Sequence, residues 1–360
     1  MGLVRAGKLF AVQKWIADGK PTMPPKPYWF SPLRVAVETG FHSMIELLLQ
    51  QGVADEEKDY MLHRAVWEGN FEVIKLLVEY GADLHTVDFE DVCRTGHPFI
   101  IHFFLDRGLD AETGYPFARA LMYPKRRYLS VYMRYRDKIP SFRHQWNLAL
   151  RHHAYAGNLK WVSLLLWAGG DAHIPLPEID VEPDPENDRS AIEAAVSMNR
   201  VEIVKRIGID PQRDDIDKMF STACLHGHVQ MIEKLLGLGA HPCGKNGSDD
   251  PIDKAMSSLR WETQEHYGVR DKHRAGEALA LVIHLADLGA RWKPHSADLR
   301  YLRRELCGFG AEFIQTVVRA FNKHHVCSPE VLLKLIATSK FKAILGFRYN
   351  GFVQELKGKK

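Results

Sequence analysis

Between Lys125 and Arg151 the chain carries Lys125, Arg126, Arg127, Arg134, Arg136, Lys138, Arg143 and Arg151; against these eight cations stands one acid, Asp137, for a net of +7. Tyr123, Tyr128, Tyr132, Tyr135, Phe142 and Trp146 are interleaved with them. Mixtures of this kind bind phosphates through the cations and bases by stacking. The same residues have a plainer reading. Tyr128, Tyr132 and Tyr135 recur at helical intervals and would form a packed face, with Arg127, Arg134 and Lys138 on the solvated one.

Cys224, His226 and His228, followed by His241 and Cys243, are the nearest thing to a metal-ligand cluster. The first three straddle Gly227, so alternate residues diverge instead of converging on one ion. Gly244-Lys245-Asn246-Gly247-Ser248 lacks the full phosphate-loop pattern and follows no buried strand. No Gly-x-Ser-x-Gly elbow, His-Glu-x-x-His pair or kinase motif set occurs. The sequence therefore predicts neither a catalytic group nor a metal or other cofactor.

Hydrophobic content of 46% with 26% charged residues is that of a folded chain. A net charge of +3 is too small to imply nucleic acid by itself. Five cysteines without a C-x-x-C pair argue against a disulfide framework and a thiolate zinc site. No run approaches the roughly 18 apolar residues of a membrane span, and the first residues enter a helical pattern without an apolar signal core. A cytoplasmic protein without membrane contact is expected.

The elements that would position any site repeat along the chain. In Leu62 to Asp83, Leu62, Ala65 and Val66 form the apolar stripe of a first helix ended by Gly69. Val73, Ile74, Leu76 and Leu77 form that of a second helix closed by Gly81. A turn glycine, apolar pairs four and five and then seven and eight residues later, and a second glycine at twelve make a ruler for the other 338 or so residues. That frame recurs at Gly7, Gly40, Gly96, Gly157 and Gly227. Asn199 and Pro124 hold the turn in bent copies, and Gly310, Ile314, Val317 and Val318 suggest one more pair.

These units resemble ankyrin repeats. Ser31-Pro32-Leu33-Arg34-Val35-Ala36 and Leu62-His63-Arg64-Ala65 keep parts of the family's opening motif, and Gly81-Ala82-Asp83, Gly169-Gly170-Asp171 and Gly239-Ala240-His241 match its closing one. The resemblance implies an all-α helical repeat solenoid of about nine or ten helix pairs with short hairpin or loop connections. It would span residues 1–327, with insertions at about 174–188, which is rich in proline and acids, and 259–276. Residues 328–360 would form a helical C-terminal cap, starting at the N-cap Ser328 with Pro329 in the first helical position.

In the family, partners bind the concave face, made of hairpin tips and the variable residues before each turn glycine. Carried onto this chain, those positions include Trp67, Glu68, Arg94, Tyr123, Tyr155 and His226. The resemblance thus implies a non-catalytic adaptor for an unidentified protein partner. The alternative is a solenoid that binds nucleic acid or another polyanion through Lys125, Arg126, Arg127, Arg134, Lys138 and Arg143. An all-helical stack without a chemical motif makes an enzyme the least expected outcome.

Overall fold

A computed structural model describes residues 1–21, 31–123, 129, 132–176, 188–244, 250–264 and 270–357. The turn residue Pro124, the cations Lys125 to Arg127 and most of the acidic segment 174–188 lie outside the described residues. Among the described residues the chain is all-helical with no strand, built as a stack of ankyrin-like helix pairs. Nine pairs are described in full, from Gly2–Arg5 with Leu9–Ala17 to Ser296–Leu306 with Ala311–Lys323. Pro116–Met122 is the first helix of another.

Each pair follows from the same local chemistry. Helix Asp55–Glu68 starts with three acids, Asp55, Glu56 and Glu57, which offset the positive end of the helix dipole. It stops at Gly69, whose φ of 70° is one that side chains with a Cβ rarely adopt. Asn70 then caps Phe71–Glu79 by accepting from the Val73 N–H. Leu62, Ala65, Val66, Val73, Ile74 and Leu77 are all fully buried, so one pair exposes no apolar stripe once its neighbours are in place. Asn199 takes φ 52°, the left-handed geometry its turn requires.

One tie recurs with a fixed register. The side chain of Asp59 accepts from the Asp83 N–H at 2.7 Å, Asn147 from Asp171 at 2.8 Å, and Asp217 from His241 at 3.0 Å. Each pairing spans 24 residues and fastens the loop after a second helix to the first helix of the same pair. The backbone N–H that leaves the stack is thereby satisfied without a strand.

Contacts divide the chain into two compact units. The first holds residues 1–152 with 164–171 and 176–185. Its core runs from Leu33, Ala36 and Ile45 through Met61, Leu62 and Ile74 to Ile101, Phe104 and Phe117. Gln145, fully buried, serves helix Pro116–Met122, whose N-cap residue Tyr115 is left-handed and gives no side-chain cap. Its Oε1 accepts from the Phe117 N–H at 2.9 Å, while Nε2 donates to the Ala111 carbonyl and the Ser141 hydroxyl.

The second unit holds residues 153–163, 172–175 and 186–360. Ser190 and Glu193 form a reciprocal capping box at Ala191–Ser197. The buried carboxylate of Asp214 accepts from His173 Nδ1 at 2.9 Å and from the Asp210 N–H at 2.7 Å. Helix Pro251–Glu262 runs into the predicted insertion, and helix Lys272–Asp287 begins inside it, capped by Asp271. Ser328 caps Pro329–Ile336 by accepting from Val331, and Leu332, Leu335 and Ile336 are buried beneath. Helices Ser339–Leu345 and Arg348–Leu356 follow.

Candidate functional site

In the first unit the predicted contact residues sit where first helices end. Trp67 is 75% exposed, one residue before the end of Asp55–Glu68. Glu68 beside it accepts from Arg64 at 2.7 Å. Helix Asp55–Glu68 packs against Phe89–Thr95, which packs against Pro116–Met122, so the three helix ends lie side by side. On the second, Arg94 is held by Glu90 at 2.6 Å and lies 5.7 Å from the centre of the Tyr123 ring. Tyr123 is half exposed. A large indole with a fixed guanidinium and a phenol on the neighbouring ends is the residue chemistry that anchors protein interfaces.

In the second unit Tyr155 is 51% exposed, and its carbonyl accepts from Arg200 Nε at 3.2 Å. The His226 ring stacks on His228 with centroids 5.5 Å apart, and His228 Nε2 bonds the Ser197 carbonyl. Partial burial, with help from His228 and Arg189, lowers the pKa of His226. Cys224 is buried, and burial pushes its thiol up to about 12. Among the described residues no three potential ligands converge on a point that could hold a metal ion.

The basic segment separates into two faces. Tyr132, Tyr135, Phe142 and Trp146 are buried, with Tyr132 and Phe142 packed on Phe117. Arg134, Arg136, Lys138 and Arg143 are exposed. Of the described aromatics in and beside this segment only Tyr123, half exposed, keeps an open ring, while the four cations meet solvent.

Of the exposed aromatics that were not among the predicted contacts, two border one cavity. Trp261, 61% exposed, and Tyr301, 52% exposed, border a cavity of about 300 Å³ in the second unit that Arg260 and Arg304 also line. Trp261-Glu262 ends its helix as Trp67-Glu68 ends the earlier one. That shared dipeptide was the available signal, hidden by the irregular spacing that follows it.

A family model described as ankyrin repeats matches residues 1–88 in three copies. Residues 1–88 are ankyrin repeats. Among curated proteins, human and mouse protein phosphatase 1 regulatory subunit 27 are each 40% identical over 57 residues, which is 14% of this chain. The match spans only 37% of the length of those relatives. Among solved structures, the ankyrin repeat domain of Bcl-3 is 18% identical with a TM-score of 0.40, covering 56% of this chain and 96% of that one. The human ASB11 ankyrin repeat domain is 16% identical with a TM-score of 0.28, covering 70% and 98%. An ankyrin repeat domain from Acinetobacter baumannii gives 14% and 0.34, covering 57% and 93%. Among the described residues no helix is long and apolar enough to cross a membrane.

Proposed function

We propose that this chain is a non-catalytic, cytoplasmic adaptor that binds a protein partner through the ends of its first helices. Trp67, Glu68, Arg94 and Tyr123 form the contact in the first unit, and Tyr155 and His226 contribute in the second. The observation that carries the reading is the exposure of Trp67, which costs solvent-exposed apolar area and has no packing duty at 75% exposed. Ankyrin repeats generally mediate protein association, and the relatives over 57 residues are named as regulatory subunits of a phosphatase, which fits an adaptor. The test is capture of partners by the intact chain after nuclease treatment, followed by mass spectrometry. Proteins retained by the wild-type chain and lost with Trp67→Ala/Tyr123→Ala support the reading. Identical partner sets for the two proteins sink it.

A second reading rests on the exposed Arg134, Lys138 and Arg143, continued by Lys125, Arg126 and Arg127 in the sequence. With Tyr132, Tyr135, Phe142 and Trp146 buried, binding there would be chiefly to a polyanion backbone, steeply weakened by salt and indifferent to base sequence. Gel-shift titration with DNA and RNA at two salt concentrations separates it from the first reading.

A further inference from the structure

The second unit holds a groove on the side of the stack where paired helices turn. Its volume is about 550 Å³, within the range of ligand-binding clefts. The floor is Gly227, with Val229, Ala278, Ala280 and Leu281 as apolar walls; Val229 is 49% exposed. The groove exists because one helix starts too early. Measured back from Gly289 by the repeat frame, the second helix of that pair should begin near Leu279. It begins at Lys272, seven residues sooner. The two extra turns, about 10 Å of helix, overhang the turn of the preceding pair at His226-Gly227-His228.

The rim is acidic. Glu233, Glu262 and Glu277 line the groove against one guanidinium, Arg274, whose Nε lies 3.6 Å from Asp271, and two histidines, His226 and His284. An apolar trough with carboxylates on its edges complements an apolar stripe flanked by cations. Among the described residues no sheet edge is present, so an extended segment would find no ladder to join. A helix brings its own backbone hydrogen bonds.

We propose that the groove between Val229–Gly237 and the overhanging start of Lys272–Asp287 docks a short, basic amphipathic helix of a partner protein. The helix ends around Trp67 belong to the other compact unit, whereas His226, named above as a contact residue of the second unit, lines this groove, so the inference rests there on that reading and deepens it.

The test uses the full chain and two labelled amphipathic helical peptides, one of leucine and lysine and one of leucine and glutamate, read by fluorescence anisotropy. The Leu/Lys peptide should bind roughly tenfold or more tightly than the Leu/Glu one. Ala280 is exposed on the groove wall, so Ala280→Trp fills the trough without touching the core, and it should weaken the Leu/Lys peptide by about tenfold or more. Glu262→Lys/Glu277→Lys should reverse the preference between peptides, with thermal melts unchanged from wild type. Equal affinity for the two peptides, or Leu/Lys binding indifferent to Ala280→Trp, overturns the proposal. So does self-association of the chain that Ala280→Trp abolishes, which would assign the groove to a second copy. Trp67→Ala leaves Leu/Lys binding intact if the groove is the site; a loss there would place the peptide on the other surface.

Discussion

The guanidinium of Arg270 fills the space that a side chain on Gly308 would need: a Cβ at that position would lie 2.2 Å from Arg270 Cζ. Arg270 Nη1 donates to the Thr263 carbonyl at 2.7 Å and to the Glu305 carbonyl at 3.1 Å, and the group lies over the Phe309 ring. These contacts tie the segment before Lys272–Asp287 to the end of Ser296–Leu306. Gly308→Ala must push the guanidinium off these acceptors, and a loss of about 1–3 kcal/mol is expected. In an Arg270→Ala background the same change should be close to neutral. Chemical denaturation of the four proteins in a double-mutant cycle checks it, and additive losses would show that the two residues do not compete for space.

Gln145 makes a comparable test in the first unit. Its Oε1 satisfies the Phe117 N–H from within the core, at the start of a helix whose cap residue is left-handed. Gln145→Leu keeps the volume and removes every polar partner at once. It should cost about 2–4 kcal/mol, since the Phe117 N–H and the Ala111 carbonyl are left buried without a partner. A loss below about 1 kcal/mol, measured by urea titration, would mean the helix start relaxes outward to water.

Gln145 also shows where sequence reasoning stops. The frame read from Leu62 to Asp83 found the helix pairs because its signals are local: a turn glycine, an apolar stripe, and a cap such as Ser328 within three residues of the N–H it accepts from. The bond from Gln145 to Phe117 spans 28 residues and obeys no period, so nothing in the chain announces it. The 24-residue tie was legible, as Asp59, Asn147 and Asp217 each stand ten residues before a turn glycine, yet it emerges only when the hydrogen bonds are seen. Of the candidate site, Trp67 could be placed beside its turn, but its exposure depends on how the next pair packs. Trp261 was masked because the polar start of Lys272–Asp287 reads as loop until Asp271 is seen capping it.

Two tryptophans separate surface from core. Trp67→Ala removes an exposed ring and should change stability by no more than about 0.5 kcal/mol. Trp161 is 3% exposed and stacks on the buried His153 with ring centroids 5.2 Å apart. Trp161→Ala should cost about 3–5 kcal/mol. Thermal or urea unfolding of both variants decides it, and a large loss at Trp67 would turn that ring from a contact residue into a packing one.

Acid should loosen the first unit before most of its carboxylates are protonated. His102 shares a hydrogen bond with the Tyr135 hydroxyl, and its Nε2 is buried without a hydrogen-bond partner. Burial first, then Arg134 and Lys138, lower its pKa, with Asp106 opposing them. His144 is likewise lowered by burial and by Arg151, and its Nε2 is also buried and unpartnered. Both histidines therefore bind protons less readily folded than unfolded. Their contribution to stability is complete above the ordinary value of 6.5 and is lost as pH falls below it, because the unfolded chain takes up the protons first. The urea midpoint should fall between about pH 7.5 and pH 5.5, and His102→Gln/His144→Gln should flatten that slope even if it lowers stability at neutral pH. A slope unchanged by the double substitution would assign the acid sensitivity to other groups.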